Sequence, residues 1–351
     1  MGFIMLSYRT FSVLILGFAF MACDKQQPSE PAEDIKEDAS TQISAESSDT
    51  KKNEDIKKTY VFRWLSEGEY NKPERTVNTT IYELKDDALT ELGTVKDTIL
   101  VHHDKGLTAF TLDENKVKGC GACNESDPVA ACKKDPSLLT DFEHPQVVVE
   151  LPDHTKKSHS PMSAPSPEEA IAFHRPSMEY HGQLGPYLFV TYKLEQMPCY
   201  AAGNNTFTEY VTLDAATGEP VELLKKDELE NPSGDVAISA IGQAEAMYEG
   251  FDGKLKLTDV IFTLDGSTPN ALYVFDSTCG EPCSGMVGQD IDVTVDLPSV
   301  ILPKTFQERV QTPPKAVAKL LDAPNPKRQG QGWSMVEANA EQSEAIQNFL
   351  K

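Results

Sequence analysis

Positive charge is scarce in this sequence. The 351-residue chain holds 32 Lys and Arg against 55 Asp and Glu, for a net charge of −23. That balance argues against a nucleic-acid partner, whose phosphates need Lys and Arg. It also argues against adhesion to anionic lipid by charge alone. It suits solubility in a cell envelope, and a basic partner. Catalytic signatures are missing too. There is no G-x-S-x-G elbow, H-E-x-x-H pair, phosphate-cradling loop or dinucleotide fingerprint. His144, His154, His159, His174 and His181 are scattered among Pro and polar residues and read as solvent-facing. His102 and His103 sit at a strand end and read as exposed turn residues, with only Asp104 near them as a further metal-type ligand. No catalytic residue, metal or cofactor is assigned, and the balance leans away from an enzyme.

Long apolar runs are confined to the N-terminus. Arg9 supplies a positive start, and residues 11–20 form an apolar stretch of signal-peptide length, short for a membrane span. Phe20-Met21-Ala22-Cys23 then resembles a bacterial lipobox. The resemblance implies cleavage after residue 22, lipidation of Cys23 and anchoring to a membrane through acyl chains (palmitate among them). Asp24 resembles an inner-membrane retention signal of enterobacterial lipoproteins. Residues 24–57 are rich in Gln, Pro, Ser, Glu, Asp and Lys, and read as a disordered tether behind the lipidated cysteine. The expected location is therefore a bacterial cell envelope, facing the periplasm or the exterior.

Beyond the tether, period-two alternation dominates. Residues 60–65, 77–84, 98–102 and 107–112 read as strands, with His103-Asp104-Lys105-Gly106 as a hairpin turn. Residues 185–224 read as strand, loop, strand, turn, strand. Leu188, Val190, Tyr192 and Leu194 lie on one face, and Thr191, Lys193 and Glu195 on a wet one. Residues 168–174 read as a helical turn, and residues 235–249 as a helix with an imperfect stripe of Ile238, Ile241, Ala244 or Glu245, and Tyr248. Strands follow at 257–264, 272–275 and 291–297, then short helices in 300–310, 316–321 and 336–350. The expected class is α+β, mainly β: two antiparallel β-rich lobes at 58–165 and 166–312, and a weakly packed helical tail at 313–351.

Six cysteines remain after Cys23: Cys120, Cys123, Cys132, Cys199, Cys279 and Cys283. An even number in an exported chain reads as disulfides, with fifteen connectivities open. Cys279 and Cys283 could close locally, or Cys199 could bridge to the Cys279 loop. The Cys120-Gly-Ala-Cys123 spacing also admits a redox or metal pair.

One stretch carries a family resemblance. Gly185-Pro186-Tyr187-Leu188-Phe189-Val190-Thr191-Tyr192, Tyr210-Val211-Thr212-Leu213-Asp214, Thr217-Gly218-Glu219-Pro220-Val221, Phe262-Thr263-Leu264-Asp265-Gly266, Leu272-Tyr273-Val274-Phe275 and Ile291-Asp292-Val293-Thr294-Val295 follow one another in order. This resembles the C-terminal, ligand-facing domain of RsiV-type lysozyme-sensing anti-sigma factors, found also in some peptidoglycan deacetylases and bacterial lipoproteins. Where that family usually carries Gly-Gly-Ala-His, Ala201-Ala202-Gly203-Asn204 stands here. The resemblance implies an α+β recognition or accessory module. The expected function is a lipid-anchored, disulfide-stabilised ectodomain that binds or scaffolds an envelope protein or cell-wall ligand. Tyr200, Asn204 and Met286 are candidate rim residues, because loops on a rigid sheet commonly carry recognition. The alternatives are an envelope enzyme acting on peptidoglycan, and thiol or metal chemistry at Cys120 and Cys123.

Overall fold

Two smaller β-sheets pack against one central sheet. The computed structural model describes residues 57–68, 75–201, 203, 205–223, 234–247, 254–278, 290–296 and 312–350. Cys23, Asn204, Cys279, Cys283, Met286 and the expected helix at 300–310 lie outside the described residues. The chain from Asn53 to Lys351 is one compact unit.

The strands of the first half are β1 (Lys58–Gly68), β2 (Arg75–Lys85), β3 (Ala88–Lys96), β4 (Thr98–His103), β5 (Gly106–Cys120), β6 (Leu139–Glu150) and β7 (Lys156–His159). Helix α1 (Pro128–Lys134) lies between β5 and β6, its N-terminus capped by the Asp127 carboxylate. Then come β8 (Ile171–Leu184), β9 (Tyr187–Pro198), β10 (Asn205–Asp214) and β11 (Glu219–Pro220). Helix α2 (Gly234–Met247) precedes β12 (Lys254–Asp265), β13 (Thr268–Thr278) and β14 (Asp290–Asp296). Helix α3 (Lys315–Leu321), β15 (Arg328–Ala338) and α4 (Ala340–Asn348) complete the chain. The mainly β, α+β reading holds.

The central sheet has the order β11-β10-β9-β8-β15-β1-β2-β3. The expected boundary at 165/166 therefore runs through a shared sheet, because β15 joins β1 antiparallel and β8 parallel. Arg328–Ala338, expected within a weakly packed helical tail, is a mostly buried inner strand of this sheet. Gly330 and Gly332 explain why the sequence hid it, since they blunt the alternation that marks a strand. A Cβ on Gly330 would lie 2.0 Å from the Tyr180 carbonyl oxygen, so the neighbouring strand can approach only a glycine.

The two faces of the central sheet have different covers. Tyr60, Phe62 and Trp64 of β1 point to one face by strand alternation. There they meet the sheet β4-β5-β6-β7, with Trp64, Ile99, Val101, Phe110, Val147, Val149, Leu188 and Val190 in one buried cluster. Val61 points the other way and packs with Val317 and Leu321 of α3 and with Trp333. On that second face the sheet β12-β13-β14 covers β8 and β9, with Phe189 5.1 Å from Phe262 between ring centres. The expected wet face of β9 is consequently dry at Thr191 and accessible, as expected, at Lys193 and Glu195. Thr191 is fully buried and its Oγ1 meets His181 Nε2 at 2.6 Å.

Other expectations change for local reasons. Residues 168–174 enter strand β8 from Ile171 instead of a helical turn, with Ile171 paired to Pro198 of β9. In α2, Ile238 and Ile241 of the stripe are exposed, at 70% and 45%, and Ala240 is buried, while Tyr248 lies outside the described residues. The turns follow sequence chemistry more closely. Asp214 Oδ1 accepts the Ala216 N–H at 2.9 Å, and Gly218 ends that turn at φ 69°.

Candidate functional site

A cleft of about 460 Å³ opens where the three sheets come together. The β4–β5 hairpin supplies His102, His103 and Asp104. The β8–β9 turn supplies Gln183 to Pro186, the β12–β13 turn supplies Ser267 and Pro269, and β15 supplies Trp333 and Ser334. Thr312 and Pro313, just before α3, close one side. The volume lies within the range of small-molecule sites, which favour such junctions.

The wall is held by buried polar contacts. Trp64 Nε1–H donates to Gln183 Oε1 at 2.7 Å, and Gln183 Nε2 donates to the Gly185 carbonyl at 2.8 Å. Gly332 makes the first contact possible. A Cβ there would stand 2.3 Å from Trp64 Nε1 and 2.4 Å from the Gln183 Cβ. Gln331 Nε2 donates to the Gly266 carbonyl at 2.8 Å and to the Leu321 carbonyl at 3.3 Å, joining the β12–β13 turn to α3. Asp322 Oδ1 accepts the Ser267 N–H at 2.7 Å, fixing the same turn from the other side.

The two histidines are not the exposed turn residues expected. His103 is 7% exposed. Its Nδ1 accepts the Lys105 N–H at 3.2 Å, so the proton sits on Nε2 and points at Thr108 Oγ1, 2.9 Å away. The Thr108 hydroxyl donates in turn to the Ala215 carbonyl at 2.7 Å. Burial holds the His103 imidazole below its usual range, against the pull of Asp104. His103 is thus a neutral structural residue of the wall. His102 is half-buried. Its backbone N–H donates to Ser334 Oγ at 2.9 Å, while its ring forms no hydrogen bond among the described residues. Burial, and then the neighbouring His103, push its pKa down to about 4. At neutral pH it offers the cleft one ring donor and one ring acceptor.

The remaining histidines divide by environment. His154 is exposed beside Glu150, as expected. His181 is largely buried, and desolvation holds it at about 4 despite Glu179 nearby. His174 lies edge-on to Phe142 at 5.8 Å, with its pKa lowered by burial first and by His144 second. Among the described residues no group of three His, Cys, Asp or Glu could hold a metal. No described helix is long and apolar enough to cross a membrane.

The cysteines gather at the other end of the central sheet. Cys120 pairs with Cys132, tying the end of β5 to α1. Cys123 pairs with Cys199, tying the loop after β5 to the loop after β9. The suggested bridge from Cys199 to the Cys279 loop is therefore replaced, because the β5 loop is the one that abuts Cys199. Cys120 and Cys123, expected as one candidate redox or metal pair, belong to two different bonds. Tyr200 is 68% exposed beside this staple, and its hydroxyl donates to the Glu125 carbonyl. It stands about 35 Å from the cleft along β9, so the structure does not bring it to the cavity.

Sequence patterning missed the cleft because its residues come from five separated segments. The one local signal was Gly330-x-Gly332-Trp333, where glycine inside a strand marks close approach of another element. No family model, no curated protein and no solved structure matches the chain.

Proposed function

We propose that this is a lipid-anchored protein of the bacterial cell envelope whose disulfide-stabilised ectodomain binds a ligand in the cleft beside His102 and Trp333. The carrying observation is the pair of disulfides, Cys120–Cys132 and Cys123–Cys199. Such bonds persist in oxidising compartments. The lipobox-like Phe20-Met21-Ala22-Cys23 and the polar stretch at 24–57 support an anchor at Cys23 with a tether behind it. The resemblance to ligand-facing envelope modules supports recognition over chemistry.

Metabolic labelling with a palmitate analogue and intact mass spectrometry test the anchor. The wild-type chain carries the label and lacks residues 1–22, and Cys23→Ala moves the protein from the membrane to the soluble fraction. An unlabelled chain that retains Met1 overturns the placement.

A further inference from the structure

The geometry points to an uncharged saccharide as the ligand class of the cleft between the β4–β5, β8–β9 and β12–β13 turns. This rests on the cleft being the binding site. Charge decides first. Among the described lining residues the only formal charge is Asp104, whose side chain is 85% exposed at the rim. No described lining residue is a cation, so among the described residues a phosphate or carboxylate finds no countercharge and meets Asp104. A cationic ligand would find one solvent-screened carboxylate.

Hydrogen bonding decides next. The His102 imidazole, the Ser267 hydroxyl and the Thr312 hydroxyl each donate and accept. Gln183 is already committed at both ends of its amide. Groups that both donate and accept match sugar hydroxyls, which do the same. Between them stand Pro186, Leu264, Pro269 and Pro313, part-exposed apolar surfaces suited to the C–H faces of a pyranose ring, backed by the nearly buried Leu184 and Trp333. A bound peptide strand would need an unpaired strand edge to extend. At the β4 edge, which lines the cleft, the outward His102 N–H is already taken by Ser334 Oγ.

The test uses the purified full chain in detergent, with titration calorimetry and NMR of the His102 ring. The probes are a neutral N-acetylglucosamine tetramer, maltotetraose, the N-deacetylated cationic tetramer and a uronate-containing anionic tetramer. At least one neutral probe is expected to bind saturably and to move the His102 signals. Its affinity should fall about tenfold in His102→Phe and in Ser267→Ala, the scale of one lost hydrogen bond to a neutral group. Both variants should keep the wild-type melting temperature. A charged probe that binds as tightly as the neutral ones overturns the inference, as does unchanged affinity in both variants. If no saccharide binds while other small-molecule fragments move the His102 signals, the ligand class is wrong and the cleft stands. If no probe or fragment moves them, the binding site is wrong as well.

Discussion

Removing the Cys123–Cys199 bond should cost more stability than removing Cys120–Cys132, although the second bond is the more buried. The sequence separations closed are 76 and 12 residues. Loop-closure entropy in the unfolded chain then gives about 4.5 kcal/mol for the long loop and about 2.8 kcal/mol for the short one. Cys120 and Cys132 are 0% and 3% exposed, so their replacement also loses core packing, about 1 kcal/mol. The expected gap narrows to under about 1 kcal/mol, and a second observable is needed to read it. Freeing the long loop expands the unfolded ensemble, so the urea m-value should rise more in Cys123→Ala/Cys199→Ala than in Cys120→Ala/Cys132→Ala. Each double variant removes both partners and leaves no orphan thiol at its site. Urea denaturation at pH 7 under oxidising conditions measures both quantities. A long-loop variant that loses less than about 2 kcal/mol, with an unchanged m-value, would refute the entropic reasoning. Peptide mapping that joins Cys199 to Cys279 would refute the connectivity beneath it.

The other predictions concern the cleft wall and the buried histidines. Gly332→Ala should destabilise by about 3–5 kcal/mol, combining overpacking with loss of the Trp64–Gln183 hydrogen bond. Thermal melting that shows less than about 1 kcal/mol of loss would mean that β15 yields more easily than the 2.3 Å approach to Trp64 Nε1 implies. His102 and His181 are both held at about 4, against about 6.5 in an unfolded chain. The unfolded state therefore binds more protons between those values, and stability falls as pH drops from about 6.5 to about 4. Around His181 the opposing groups are Glu179, which favours the charged ring, and Lys193 and Arg75, which disfavour it. The double variant His102→Gln/His181→Gln should flatten the stability profile in that window by up to about 3 kcal/mol, after discounting for the part-exposed His102 ring. An unchanged slope in urea melts from pH 7 to pH 4.5 would count against neutral burial of both rings.

Much of the local structure was legible residue by residue. The runs at 60–65, 77–84 and 257–264 are strands, as is the described part, 291–296, of the run at 291–297, because period two is a property of the chain itself. Asp214 to Gly218 and His103 to Gly106 turn where their side chains and their tolerance of positive φ allow it. The even cysteine count pointed to disulfides, and four of the six are paired among the described residues. Partnership was a different matter. Nothing near Cys123 in the chain names Cys199, and fifteen connectivities stayed equal until the loops after β5 and β9 were seen side by side. Nor could alternation reveal that both faces of β9 are covered over its first half, since Thr191 reads as wet like Lys193 and Glu195, yet it alone of the three is buried.

The division between the two levels is physical. Pattern along the chain depends on neighbours a few residues away, and it settled the β-rich class, the turns and the acidic surface. The cleft depends on Trp64 reaching Gln183 across Gly332, and on Gln331 and Asp322 pinning the Gly266–Ser267 turn. Those contacts span from 55 to 119 residues of sequence. Only packing in three dimensions brings them together, and only that packing turned His102 from an exposed turn residue into a neutral group facing a cavity.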